Sequence, residues 1–158
     1  MEFLVLGGGC FWCLDIIFQN LKGVESVIPG YAGGFSKNPT YIEVCTEKTG
    51  HAEVIKIEFD PKKITINELL NIFWKAHDPT TLNRQGNDIG KRYRSIILYS
   101  NQKQYIYIEK SLQNLKKSNK YSSPILTEIK PLDIFYTAEE YHHDYYNKNP
   151  NQPYCNLV

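Results

Sequence analysis

A chain of 158 residues with 18 Lys and Arg against 17 Asp and Glu has a formal charge of +1, no electrostatic footprint for nucleic acid or an anionic membrane. It is long enough to bury a core and has no apolar run that would span a bilayer, so one domain over 1–158 is expected, with no membrane partner. The amino end, MEFLVLGGG, has no basic leader or long apolar segment, which predicts a cytoplasmic protein whose thiols stay reduced.

The run Phe3 to Leu6 ends in glycines and predicts a buried strand. Beyond Cys10 the apolar residues Leu14, Ile17, Phe18 and Leu21 recur at helical spacing until Lys22-Gly23. Val24 to Tyr31 predicts a second strand, followed by a polar loop through Pro39. His51 to Phe59 alternates and stops at Asp60-Pro61, a third strand. Thr65 with Glu68 forms a capping box for an amphipathic helix ending near His77. The glycine-bearing TTLNRQGNDIGKRY reads as loop, Ser95 to Tyr99 as strand, and Asn101 to Lys117 as a long helix. Leu126 to Tyr136 predicts a last strand, and the tail is read as mostly coil beyond Asn147. This alternation predicts a two-layer α/β sandwich, with a β-α-β-β-α-β order that suits a ferredoxin-like core plus an extra helix and strand.

Four cysteines (Cys10, Cys13, Cys45, Cys155) in a reducing compartment point to redox chemistry or a metal rather than a stapled scaffold. In GGGCFWC, Cys10 follows three glycines that let a ligand approach, at the head of a helix whose free N–H groups favour an anion. Its pKa is therefore expected to fall and its thiolate fraction to rise. Cys13 shares that helical face, and a bridge between the two is possible but tight. A phosphate loop is disfavoured because the Lys-Ser/Thr ending is missing. A zinc site lacks a second ligand pair, so no metal is expected, and His142-His143 reads as a solvated helix end. Cys45, in YIEVCT, reads as buried core. Phe11 and Trp12 suit either core or the wall of an apolar pocket. Glu53 enters a buried strand, where it is either a salt-bridge partner or a general acid with a raised pKa; periodicity leaves these even.

Taken in order over nearly the whole chain, GGGCFWC, GYAGG, NPTYIEVCTEKTGHAEV, FWKAHDPT, RQGNDIGKRYRS and YHHDYYNKNPNQPYC resemble the A-type peptide methionine sulfoxide reductases. The resemblance implies reduction of the S-epimer of methionine sulfoxide, free or in protein; a monomer is expected. It implies that Cys10 is the nucleophile and that Phe11 and Trp12 cage the substrate methyl. Glu53, Tyr41 and Tyr93 would hydrogen-bond the sulfoxide oxygen, with Asp88 supporting the site and Tyr145 closing over it. It also implies a sulfenic acid on Cys10, then a disulfide opened by thioredoxin (dithiothreitol in vitro), with no bound cofactor. Many relatives have glycine where this chain has Cys13 and resolve with a C-terminal cysteine, here Cys155. This chain has both, so the first resolving thiol stays open between Cys13 and Cys155. Two rivals remain: a thioredoxin-like disulfide oxidoreductase, which leaves Glu53 and the tyrosines without a task, and a peptide-binding module, which leaves the GGGC turn unexplained.

Overall fold

A computed structural model describes residues 1–150 of the chain. Apolar runs build β1 (Glu2–Gly7), β2 (Val24–Ala32), β3 (Ala52–Phe59) and β6 (Ile96–Tyr99), with β1 and β6 continuous rather than alternating. Between them lie α1 (Phe11–Phe18), α2 (Tyr41–Cys45), α3 (Ile66–Ala76) and the short hairpin of β4 (Arg84–Gln85) and β5 (Asp88–Ile89). A 3-10 turn (Lys91–Tyr93) leads into β6, and α4 (Gln102–Lys117), β7 (Glu128–Pro131), β8 (Tyr136–Thr137), a second 3-10 turn (Glu140–His142) and α5 (Tyr145–Lys148) follow.

The main sheet runs β7-β6-β1-β3-β2-β8. Its centre, β6-β1-β3-β2, is antiparallel throughout, with α1 linking β1 to β2 and α3 linking β3 to β6. That is the expected ferredoxin-like core of an α/β domain. The strand pleat divides the interior in two. Leu4, Leu6, Ile55, Ile57 and Ile97 pack with α1, α3 and α4, whereas Val5, Val54, Ile96 and Leu98 form a smaller cluster on the other face. Each fully buried large apolar side chain contributes about 1.5–3 kcal/mol, so the helical face carries most of the hydrophobic stabilisation.

The expected cap of α3 is present, and α4 has one that was not foreseen. The Thr65/Glu68 box is formed and Asn101 caps α4 through Gln104 N–H. The first helix is shorter than its apolar spacing suggested, because it ends at Phe18 and a turn through Leu21 carries the chain to β2. One unforeseen helix, α2, starts at a second capping box, Thr40 with Glu43. The single strand expected over Leu126 to Tyr136 is instead two, on opposite edges of the sheet. Past Pro131 the Leu132 N–H makes a last bond to the Tyr99 carbonyl at 2.8 Å, and Leu132 and Phe135 then pack on the small apolar cluster of the back face as the chain crosses to β8. The segment read as loop before Tyr93 holds the β4–β5 hairpin and the 3-10 turn.

Candidate active site

The place of Cys10 is set by glycines and one histidine. A Cβ on Gly8 would lie 2.7 Å from the His77 ring, and Gly9 takes φ +85. His77 cannot swing aside. Its Nδ1 must donate to the Phe73 carbonyl (2.7 Å), which leaves Nε2 to accept from the Ser95 hydroxyl (2.7 Å). Cys10 thus lands at the N-cap of α1, only 6 % exposed, on the wall of a cavity of about 580 Å³ that Cys13, Trp74, His77, Asp88 and Tyr121 also line.

Burial reverses the expected acidity of that thiol. Removal from water and the neighbouring Glu53 charge push the Cys10 pKa well above the ordinary thiol range, and the main-chain N–H groups of Trp12 and Cys13 only partly oppose them. The resting sulfur is a neutral thiol, so the dipole argument from the helix terminus loses to desolvation. Cys10 and Cys45 are free, whereas Cys13 is disulfide-bonded. Cys155 lies outside the described residues.

Strand alternation sends Glu53 to the same face as Ile55 and Ile57, beneath the start of α1. It is 1 % exposed, and its Oε1 accepts the Phe11 N–H at 3.1 Å. Burial lifts its pKa to about 8; the Phe11 N–H and Arg92 pull it down, while Asp88 and Glu47 push it up. At neutral pH this carboxyl keeps its proton. Two phenols feel its charge: burial and Glu53 raise Tyr93 to about 12 and lift Tyr41 well above the phenol range. Tyr41 lies at the first position of α2, where its hydroxyl meets the half-buried Cys45 thiol; Cys45 is therefore not the core residue expected. Asp88, half-buried in β5, acts on both Cys10 and Glu53 through its charge.

Phe11 is buried against Tyr31, with ring centroids 5.8 Å apart, and half-buried Trp12 stacks on Tyr145 at 3.7 Å and 8°. The C-terminal segment supplies residues that sequence reasoning missed. His142, read as a solvated helix end, is 1 % exposed; its Nδ1 accepts the Trp12 indole N–H (3.0 Å), and its ring packs on Phe11 and Tyr41. Burial holds it neutral, with a pKa near 4, because nothing there replaces the water an imidazolium needs. Glu139 accepts from the Tyr31 hydroxyl and the Tyr41 N–H, each at 2.8 Å. Arg92 lies over the Tyr93 ring at 4.4 Å and pairs with Glu47. The polarity of EEYHH and GKRY masked these positions.

The arrangement combines a buried thiol, a protonated carboxyl, two neutral phenols and an aromatic wall. It can deliver a nucleophile and a proton to one small, polar group. Among the described residues no cluster of three or more His, Cys, Asp or Glu side chains could hold a metal ion, and no helix is long and apolar enough to cross a membrane.

Comparison with known proteins identifies what such a site serves. The family described as "Peptide methionine sulfoxide reductase" matches residues 2–158. The enzyme MsrA of Sulfolobus acidocaldarius is 55 % identical over 158 residues, covering 100 % of this chain and 89 % of the relative. The reduced form of Mxr1 from Saccharomyces cerevisiae superposes with a TM-score of 0.92 at 33 % identity, covering 98 % of this chain and 89 % of that one. Mxr1 in complex with Trx2 superposes with a TM-score of 0.65 at 26 % identity, covering 88 % and 81 %.

Proposed function

From the premise that this chain belongs to the peptide methionine sulfoxide reductase family, and so is a thiol-dependent oxidoreductase, we propose how its own residues carry the reaction. The observation that carries the reading is Glu53: a buried carboxyl that keeps its proton at neutral pH, tied through Phe11 N–H to the backbone next to Cys10.

A sulfoxide loses oxygen only if a nucleophile meets sulfur while a proton meets oxygen. The Cys10 sulfur bonds to the substrate sulfur as Glu53 gives its proton to the oxygen, and the thiol's proton passes to the carboxylate left behind. The hydroxyl then moves to the Cys10 sulfur as the S–S bond breaks. Methionine leaves, Cys10 is a sulfenic acid, and Glu53 is protonated again. A second thiol, from Cys13 or Cys155, condenses with the sulfenic acid, releasing water and forming a disulfide. An external dithiol restores the thiols. The solved Mxr1–Trx2 complex supports thioredoxin in that part, and these steps use no bound cofactor.

Tyr41 and Tyr93 keep their protons at neutral pH and serve as neutral donors to the developing oxyanion, each worth about 3 kcal/mol in the transition state. Phe11 and Trp12 receive the methyl group. Burying one such group yields only about 0.8 kcal/mol, so the choice of the S-epimer rests on placing methyl and oxygen in separate pockets. Asp88 supports the site electrostatically, and Tyr145, stacked on Trp12, closes over it. The protein is read as one domain over 1–158, a cytoplasmic monomer acting on free or protein-bound methionine sulfoxide.

Separate incubations with dithiothreitol and each epimer of a blocked methionine sulfoxide test the reading. Sulfide is expected from the S-epimer alone, and none from Cys10→Ser. Sulfide from that variant, or equal turnover of both epimers, overturns the assignment.

A further inference from the structure

Arg92 carries a buried donor with nothing to bond. Among the described residues its Nε has no hydrogen-bond partner, yet it lies 3.9 Å from Glu53 Oε2, too far for a hydrogen bond and close enough for an ion pair. The guanidinium is held in place from elsewhere. Glu47 pairs with its Nη1 and accepts the Arg92 main-chain N–H at 3.2 Å, while the Tyr93 ring lies beneath it. The Glu47 backbone takes φ +66, which turns its carboxylate toward the 3-10 turn. A buried N–H without an acceptor loses its water and gains nothing in return, so its persistence needs an explanation.

The protonation state of Glu53 supplies one. A carboxyl that holds its proton is a weak acceptor, and its own O–H competes for the space facing Arg92. Once that proton has gone, both oxygens are strong acceptors. Oε1 already has the Phe11 N–H, and Oε2 lies 3.9 Å from the Arg92 Nε.

We propose that Arg92 is a positioning residue for the acid step: its idle Nε–H receives the Glu53 carboxylate that remains after the proton has passed to the sulfoxide oxygen. The inference rests on the acid role given to Glu53 above. The step balances internally. Glu53 loses a proton to oxygen, Arg92 keeps all of its own, and the pair separates again when the Cys10 thiol proton returns to Glu53. Arg92 thereby limits the penalty of forming a carboxylate in a dry site, where Tyr31, Tyr41, Tyr93 and Cys10 are neutral and Asp88 and Glu47 are repulsive. Glu47 sets the height of the device by neutralising part of the guanidinium charge.

The test is the pH profile of single-turnover methionine formation in wild type, Arg92→Gln, Arg92→Lys and Glu47→Gln, with the Glu53 carboxyl followed by its infrared C=O band and assigned with Glu53→Gln. An opposite charge at this range shifts a carboxylate by roughly 1–3 units. Arg92→Gln is expected to move both the alkaline limb of the rate and the loss of the C=O band to higher pH by roughly 1 unit or more, with a slower plateau. Arg92→Lys should recover part of each, and Glu47→Gln should move both the opposite way. Unchanged limb and band in Arg92→Gln overturn the assignment to Arg92. A wild-type C=O band that disappears without any change in rate instead overturns the acid role of Glu53, so the two failures are distinct.

Discussion

The indole N–H of Trp12 donates to Nδ1 of His142 at 3.0 Å, joining positions 130 residues apart. This bond fixes the one polar atom of a ring whose face is otherwise apolar, and it requires an imidazole with a bare Nδ1. His142→Phe keeps the packing on Phe11 and Tyr41 but removes the acceptor. KM for methionine sulfoxide should rise several-fold, and the Trp12 indole resonance should move toward that of a free indole and lose its exchange protection. His142→Asn, which restores an acceptor near the Nδ1 position, should recover the resonance. An indole signal that is unaltered in His142→Phe removes the bond from the argument.

Glu53 gives the sharpest kinetic expectation. Its folded-state pKa of about 8 means that the acid form is available below that pH and lost above it. The rate of the first turnover should therefore fall as pH rises through about 8. Glu53→Gln retains an oxygen for the Phe11 N–H but has no proton to give, so methionine formation should slow by about 10²–10⁴-fold with little change in substrate affinity. Stopped-flow measurement across pH 6 to 10 decides it.

The elements around this site were legible to different degrees, for physical reasons. Strands β1, β3 and β6 announce themselves because burial on one or both faces forces an apolar pattern, and α3 because Thr65 and Glu68 close its first turn. Helix α2 is too short at five residues to show a period, although Thr40 and Glu43 carried the same capping signal. The division of 126–136 depends on tertiary packing, since Leu132 and Phe135 are drawn onto the back-face cluster between the two edges of the sheet, which an apolar run alone does not reveal. Cys10 and Glu53 stood out as candidates by their motifs, but the acidity of Cys10 was read in the wrong direction. Local sequence reports the helix terminus; the desolvation comes from distant segments folding over it. His142 and Arg92 were missed for the same reason, since a polar residue gives no sign that a remote aromatic or carboxylate will cover it.

The contact between Gly8 and His77 predicts a substitution that a sequence pattern would pass as mild. In Gly8→Ala the new methyl would meet a ring bonded at both nitrogens, so neither side yields easily. Overpacking of this kind costs about 1–3 kcal/mol. The displaced loop carries Cys10, so activity should drop more than stability does. Urea unfolding and single-turnover rates on the same preparation separate the two effects.

Stability should respond to pH through two opposing sets of groups. His77 and His142 both have folded pKa values near 4 against an ordinary 6.5. Between those values the unfolded chain takes up protons that the folded chain refuses, so stability is lost as pH falls from 6.5 toward 4. Glu53 acts the other way. Raised from 4.5 to about 8, it holds a proton in the folded state that the unfolded chain releases, so its contribution is present at low pH and lost as pH rises through that window. Glu53→Gln removes the second effect alone. Its urea midpoint should therefore fall more steeply than that of wild type on going from pH 7.5 to pH 5; parallel slopes would count against a raised Glu53.

The cysteine states bear on how many substrates one molecule can reduce unaided. Cys10 is a free thiol while Cys13 is disulfide-bonded, so the bridge at Cys13 does not contain Cys10. Such a state follows if Cys13 first takes up the Cys10 sulfenic acid and the bridge then passes to another cysteine, which the sequence reading makes Cys155. The freed Cys10 can attack a second sulfoxide. Without reductant, the wild-type protein should then release about two equivalents of methionine per chain, the second leaving Cys10 as a sulfenic acid. Cys13→Ser and Cys155→Ser each retain one resolving thiol and should release about one equivalent, because Cys10 stays locked in the bridge. Mass spectrometry of the alkylated products identifies each bridge: a Cys10–Cys13 disulfide in Cys155→Ser supports the relay, and its absence there, with sulfenic acid persisting, sinks it.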